Sequence, residues 1–283
     1  MFALLDIGGT KTRIAVSHDA QAFASDPIKI DTPHTYDTGI RTLIEAVQKH
    51  AQGERIDTVV AGVAGPLDHA TGTLIASPHL TDWVGKPIRD TLQHALGADH
   101  VVLENDTALV GLGEAHFGAG KGDRIMAYIT VSTGVGGVRI VEGSIDRSTR
   151  GFEPGHQIID IDKTYYPSLA AHDVEDMLSG TATAKRFGKP AYEVYEPDVW
   201  EDLATVLATT LNNTIVHWSP DSVVLGGSMI VGNPAISVER TAFHLEKICT
   251  IFPTKPPLKR ALLQDVGGLY GAMARARATG ERQ

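Results

Sequence analysis

The segment Asp6-Ile7-Gly8-Gly9-Thr10-Lys11-Thr12 puts a carboxylate, two glycines, two hydroxyls and an ammonium into seven residues. Such a set suits an anion, because a glycine-rich turn presents main-chain N–H groups and Thr10, Lys11 and Thr12 add side-chain donors. Gly8 and Gly9 can take positive φ and let another group approach the backbone closely. Asp6, at the end of the preceding apolar run, is placed to hold Mg²⁺ through water. Together these residues fit the phosphates and metal of a nucleotide, although a surface hairpin turn uses the same types. Other phosphate loops are excluded. The Gly-Lys pairs at 85–86, 120–121 and 188–189 are not followed by Ser or Thr, so there is no Walker A loop. The glycine turn joins strand to strand, whereas a dinucleotide fingerprint joins strand to helix.

Three further groups carry chemistry. Glu104-Asn105-Asp106 ends an apolar run and opens a helical one. Asn and Asp suit a helix N-cap there, and Asp106 is also a carboxylate positioned to take a proton from a hydroxyl. Asn105 beside it can donate to and accept from a polyol. Glu153-Pro154-Gly155-His156 brings a carboxylate and an imidazole to one loop, within reach of a single polyol. His156 and His172 have no cysteine partners, so a metal reading finds no support in ligand spacing. Glu175 lies in an acidic stretch that suits the first turn of a helix.

These groups need elements to hold them. Strands are predicted at 2–7 and 13–17, a helix at 38–52, a buried strand at 57–63, a helix at 86–96, a strand at 101–103 and a helix at 107–117. Gly118-Ala119-Gly120-Lys121-Gly122 reads as a hinge and a domain boundary. The pattern then restarts. A strand at 124–131 leads into the glycine-rich turn Ser132-Thr133-Gly134-Val135-Gly136-Gly137, and a strand follows at 138–141. A helix at 199–217, a strand at 222–225 ending in Gly226-Gly227, and a small-residue helix at 267–278 complete the reading. The two strand–turn–strand segments form a weak repeat of about 125 residues. Two α/β domains of similar topology are therefore expected to face one another, each giving a phosphate-binding hairpin to a cleft between them. Gly226 and Gly227, beyond a strand's carboxyl end, are expected to let a base or ribose pack on backbone.

Composition narrows the classes. The 283 residues are 42% hydrophobic and 21% charged, with a net charge of −9 and one cysteine. A soluble globular protein is expected, with no nucleic-acid surface and no disulfide. No apolar run reaches the roughly 18 residues that would cross a membrane. Asp6 and Lys11 interrupt the first apolar stretch too early for a signal peptide. A cytoplasmic protein without membrane partners is the expectation.

With these motifs in order, the chain resembles the ROK family of repressors, open reading frames and sugar kinases, within the hexokinase–actin–heat-shock ATPase superfamily. The first hairpin matches that family's first phosphate motif. Gly62-Val63-Ala64-Gly65-Pro66 matches a segment that approaches the sugar, and Glu104-Asn105-Asp106 matches the base motif. Ser132–Gly137 matches the second phosphate motif and Glu153–His156 the E-x-G-H motif. Glu175 matches a late sugar-binding Glu, and Leu225-Gly226-Gly227 the adenosine-site glycines. The resemblance implies two ribonuclease-H-like domains of the actin/hexokinase type, residues 1–117 and 118–267, the first completed by a terminal helix at about 268–283. It implies a homodimer, and ATP and Mg²⁺ as donor and metal. Asp106 would be general base, and Gly65, Asn105, Asp106, Glu153, His156 and Glu175 would hold the sugar. Asp6, Gly8, Gly9, Thr10, Lys11, Thr12, Thr133, Gly134, Gly136, Gly226 and Gly227 would bind ATP, with Asp6 on Mg²⁺ through water.

Two departures stand out. Many members follow E-x-G-H with a cysteine-rich zinc loop, but residues 157–171 hold no cysteine, so no zinc is expected and His156 is left for the sugar. His79 stands where Asn is common, which bears on sugar preference. The expected reaction is phosphorylation of a hexose by ATP, most simply glucose at its 6-hydroxyl. Fructose, mannose and N-acetylhexosamines remain open as acceptors, and polyphosphate as donor. A sugar-responsive repressor would carry an N-terminal helix-turn-helix, which is not expected when Met1 leads directly into the first strand. An actin-type ATPase is disfavoured by the Asn-Asp and Glu-x-Gly-His sets and by the short length.

Overall fold

The computed structural model describes residues 1–163, 165–166 and 173–280. His172 and residues 281–283 of the expected terminal helix lie outside the described residues. The chain forms two compact units: one of 1–117, 147–151 and the segment from Asp265 onward, the other of 118–146 and 152–264.

In the first unit, β1 (Phe2–Ile7), β2 (Lys11–Ser17) and β3 (Ile28–Asp31) run as an antiparallel meander. After α1 (Tyr36–Ala51), β4 (Thr58–Val63) lies parallel to β1. The short pair β5 (Leu67–Asp68) and β6 (Thr73–Leu74) and helix α2 (Ile88–Leu96) lead to β7 (His100–Asn105), which pairs with β4 in parallel, and to α3 (Asp106–Phe117). The sheet order is β3-β2-β1-β4-β7. β4, Thr-Val-Val-Ala-Gly-Val, is buried along its whole length, as a central parallel strand covered on both faces requires. α1 buries Tyr36, Ile40, Leu43, Val47 and Ala51, one helical stripe, against this sheet.

The second unit repeats that plan. β8 (Ile125–Val131), β9 (Val135–Val141) and β10 (Ser144–Ile145) form the meander. α4 (Val174–Leu178), α5 (Gly180–Phe187) and α6 (Pro197–Trp218) precede β11 (Ser222–Gly226). α7 (Ser228–Val231) and α8 (Val238–Ile248) lead to β12 (Leu258–Arg260). The order β10-β9-β8-β11-β12 reproduces that of the first sheet, with β11 parallel to β8 and to β12. Asp6 sits opposite Gly62 and Arg13, and Thr130 opposite Gly226 and Gly136, so the two are topological equivalents. The chain closes with α9 (Gly267–Gly280), which packs on α3 in the first unit. Glycines permit that approach: a Cβ at Gly113 would strike the Gly267 carbonyl, and one at Gly271 the Leu109 carbonyl.

One expectation is refined and one corrected. Of the two freedoms glycine offers, Gly8 and Gly9 use close approach and not positive φ: a Cβ on Gly8 would lie 2.9 Å from the Lys11 carbonyl and one on Gly9 2.5 Å from His79 Cβ. The second turn is also shorter than the glycine content implies. It spans Ser132–Gly134, closed by Ser132 N–H donating to the Gly134 carbonyl at 2.8 Å, and Gly136 and Gly137 are already extended in β9. A Cβ on Gly137 would lie 2.7 Å from Pro154 Cγ, so this glycine seats the Glu153–His156 loop.

Candidate active site

In the first unit the chemistry gathers at the carboxyl ends of β1, β4 and β7 and the start of α3. The Asn105 amide does two jobs there. Its Oδ1 accepts from Ala108 N–H at 3.0 Å, an N-cap on α3, and its Nδ2 donates to the Gly65 carbonyl at 3.2 Å. Gly65 has φ +131°, and a Cβ there would strike the Ala76 carbonyl, so the residue must be glycine. Asn105 keeps a second Nδ2 hydrogen and a lone pair for a hydroxyl. Asp106 Oδ1 accepts from Thr107 N–H at 2.7 Å. Burial raises the Asp106 carboxyl above the ordinary carboxylate range, countered by hydrogen bonds from Thr107 and from its own backbone and by His79. A carboxylate raised this way is a better base at neutral pH.

Asp6 is 7% exposed. Its pKa rises from 3.8 to about 7, first through burial, then through Asp106 and Asp265, with Arg13 opposing. Arg13 NH1 is 3.6 Å from Asp6 Oδ2, while its NH2 is held at 2.9 Å by Asp265. A buried carboxylate facing a second carboxylate, with one shared arginine, is short of positive charge. Oxygen donors of this kind suit Mg²⁺, which keeps several waters and takes one or two carboxylates. Gly268 at the start of α9 leaves room for this carboxylate, as a Cβ there would lie 2.6 Å from Asp6 Cγ.

Around the first turn, Thr10 is exposed and Lys11 Nζ is ion-paired with Asp31. Thr12 does not reach the site. The alternation of β2 turns it into the sheet, where it is fully buried and shares a 2.8 Å hydrogen bond with Thr32. Thr32 in turn donates to the Gly8 carbonyl at 2.8 Å, so Thr12 supports the turn from beneath. Glu104 is occupied by Arg275 of α9 at 2.9 Å.

In the second unit the Glu153–His156 loop lies over β9, because Gly155 has no Cβ to strike the Val135 carbonyl. His156 Nδ1 is 3.0 Å from Asp173 Oδ2. Asp173, not singled out in the sequence, also N-caps α4 by accepting from Asp176 N–H at 2.9 Å. Its hydrogen bond is the chief cause that raises the His156 pKa; desolvation opposes, and the charges of Glu175, Asp173 and Glu153 add to the rise. Helix α4, which carries Glu175, packs on the Pro154–His156 turn, so Glu175 and the Glu153–His156 loop lie on neighbouring elements. Glu175 also turns to the hairpin: its Oε2 accepts from Val135 N–H at 2.8 Å. Thr133 is exposed and Gly134 half-buried on the same turn. Gly226 and Gly227 are packed from within. A Cβ on Gly226 would strike the Tyr128 hydroxyl, and one on Gly227, at φ +86°, would lie 2.6 Å from Thr130 Oγ1.

Among the described residues no three His, Cys, Asp or Glu side chains form a metal-binding group, and no helix is long and apolar enough to cross a membrane. The chain is 29% identical over 203 residues to a glucokinase of Thermotoga maritima, covering 71% of this chain and 63% of that protein's length. It is 28% identical to a fructokinase of Zymomonas mobilis, over 98% of this chain and 97% of the relative. The solved ROK hexokinase of Thermus thermophilus superposes with a TM-score of 0.84 at 27% identity, over 100% of this chain and 99% of that one. Its actin-like two-domain ATPase fold is the fold of this chain. The ROK family model matches residues 3–279, and with the repeated sheets and the placed motifs it establishes that this chain belongs to the ROK family.

Proposed function

We propose that this chain transfers the γ-phosphoryl group of ATP to a hexose hydroxyl, with glucose at its 6-hydroxyl as the first substrate. The carrying observation is Asp106: a half-buried carboxylate of raised pKa, at the head of α3, beside an asparagine already anchored to Gly65. Asp106 takes the hydroxyl proton as the oxygen attacks phosphorus. Asn105, Glu153, His156 and Glu175 hold the other hydroxyls. Thr10, Lys11, Thr133 and the main chain at Gly8, Gly9, Gly134 and Gly136 bind phosphates, and Gly226 and Gly227 flank the nucleoside. Mg²⁺, held by Asp6 through water, supplies charge neutralisation at the phosphates when bound.

The similar proteins include both a glucokinase and a fructokinase, so the acceptor is chosen within one framework. The proposal includes no zinc, since residues 157–171 offer no thiolate. It also includes a cytoplasmic homodimer without nucleic-acid or membrane partners. Its two domains are 1–117, completed by the terminal helix, and 118–267. A coupled assay against glucose, fructose, mannose and N-acetylhexosamines, with ATP and with polyphosphate, tests the reading. Glucose and ATP are expected to give the highest kcat/KM. Absence of ADP release with every hexose would reject the kinase assignment.

A further inference from the structure

We propose that Glu175 is a positioning residue for the second glycine hairpin, and that this one carboxylate makes sugar and nucleotide occupancy interdependent. The ligands named here rest on the kinase reading; the positioning role rests on geometry within one unit.

The turn Ser132–Gly134 is held at three main-chain points by the segment that carries Glu175. Gly180 N–H donates to the Ser132 carbonyl at 2.7 Å, and Thr181 N–H to the Thr133 carbonyl at 3.3 Å. Glu175 Oε2 accepts from Val135 N–H at 2.8 Å. The contact depends on residue 134 lacking a side chain, since a Cβ there would lie 2.6 Å from Oε2. The holding segment is itself rigidly built. Ser179 N–H donates to the Glu175 carbonyl at 3.1 Å, and Ser179 Oγ accepts from Ala182 N–H at 3.1 Å to cap α5.

Two of these anchors are carbonyls bonded by main-chain N–H groups and are indifferent to ligands. The third is a charged side chain, and its hydrogen bond to a backbone N–H is of the stronger, charge-assisted kind. Helix α4, which carries Glu175, packs on the Pro154–His156 turn as well as on β9, and the Glu175 charge acts on His156. Glu175 therefore links the element whose imidazole would hold a hydroxyl to the turn that would hold a phosphate. A sugar hydroxyl bonded to one oxygen fixes the carboxylate while the other oxygen keeps Val135 N–H and the turn in place. The ordering cost of the shared carboxylate falls on whichever ligand binds first, so each substrate tightens the other by the same factor.

The test compares Glu175→Ala, Glu175→Gln and wild type, titrating AMPPNP calorimetrically with and without hexose. Gln keeps an acceptor oxygen for Val135 N–H but lacks the charge. Without hexose, Glu175→Ala is expected to bind AMPPNP about fivefold to tenfold more weakly, the scale of one lost hydrogen bond. Glu175→Gln is expected to stay within about twofold of wild type. The factor by which hexose tightens AMPPNP in wild type should fall to one in Glu175→Ala. Wild-type AMPPNP affinity in Glu175→Ala, or an equal loss in Gln and Ala, would overturn the proposal. Should wild type bind no AMPPNP, the kinase reading fails, and amide hydrogen exchange at Val135 in the ligand-free protein decides the positioning role. Faster exchange in Glu175→Ala, and also in Gly134→Ala, which evicts the carboxylate without removing it, supports the role; unchanged exchange in both rejects it.

Discussion

The two hairpins share one topology and are built from different materials. Asp6 and Thr130 are equivalents, yet the first hairpin stands beside two carboxylates with raised pKa, and the second beside main-chain groups held by helix starts. The first turn is propped by the Thr12–Thr32–Gly8 chain and has His79 packed on Gly9. The second is held by Glu175, Gly180 and Thr181. The difference teaches how one repeated fold divides a reaction. Under the proposed reaction, the carboxylates of raised pKa, Asp6 and Asp106, collect in one repeat, and the second repeat offers amides, hydroxyls, an imidazole hydrogen-bonded to Asp173, and the carboxylates of Glu153 and Glu175.

The sharpest break of this comparison is at Asp106. Asp106→Asn is expected to lower turnover by about 10²-fold or more, the scale of a lost general base, with sugar affinity largely kept. Because burial raises this carboxyl, its ionised form is strained in the folded state, and the neutral amide should raise the melting temperature at pH 7. Loss of turnover with a gain of stability is the expected pair of readings. Turnover within a few-fold of wild type would remove Asp106 from the reaction.

The second unit breaks differently. Glu153→Gln and His156→Ala are each expected to weaken hexose binding about tenfold to a hundredfold, the scale of a charged hydrogen bond to a hydroxyl, and to change AMPPNP binding far less. The pair should be non-additive because both sit on one loop and one ligand. Equal losses for sugar and nucleotide would reduce these residues to turn formers.

A smaller effect sharpens the electrostatic half. Asp6 has a folded pKa of about 7 against 3.8, so between those values the folded state holds more protons than the unfolded one. Stability from this group therefore falls as pH rises from about 4 to 7, and the destabilisation is complete above it. In metal-free buffer Asp6→Asn should raise the melting temperature by several degrees at pH 8, and by less at pH 5. Magnesium should stabilise wild type at pH 8 and not the variant. Thermal scans at both pH values, with and without magnesium, give the answer, and equal melting temperatures at pH 8 would contradict it.

How far this was legible from residues alone follows from locality. The first hairpin, the central strands and α1, α3 and α6 announce themselves because apolar period and glycine punctuation agree within a short window. α8 escapes that reading because its buried positions include Thr241 while Phe243 is 44% exposed on another face. β3 is a four-residue strand, Ile-Lys-Ile-Asp, whose two alternating isoleucines pack on the core but make too short a period to stand out from the surrounding turn residues. In the site, Asp106, Glu153 and His156 are visible as residue types. The Val135 amide is not, since main-chain donors leave no mark on composition. Gly8 and Gly9 were legible as sites of close approach, but the groups that approach, the Lys11 carbonyl and the distant His79, were not.

Asp173 was legible only as part of an acidic helix start, and not as the partner of His156, seventeen residues away, and it gives the finest test. Its two oxygens do separate work: Oδ1 accepts from Asp176 N–H, and Oδ2 holds His156 Nδ1. Asn caps a helix about as well as Asp, so Asp173→Asn keeps the start of α4 and removes the charge beside the imidazole. Since that hydrogen bond is the first cause of the raised His156 pKa, the variant's imidazole should lose its proton at lower pH. A protonated ring with Nδ1 engaged can still donate from Nε2, and a neutral ring with its proton on Nδ1 cannot. Hexose affinity of Asp173→Asn should therefore fall about threefold to fivefold near neutral pH, less than for His156→Ala, as expected for a positioning residue. The alkaline fall of affinity should move to lower pH, while AMPPNP affinity and melting temperature stay near wild type. An unshifted pH profile would show that His156 is oriented by the Gly155 loop alone, and would leave the second unit's charge out of the comparison altogether.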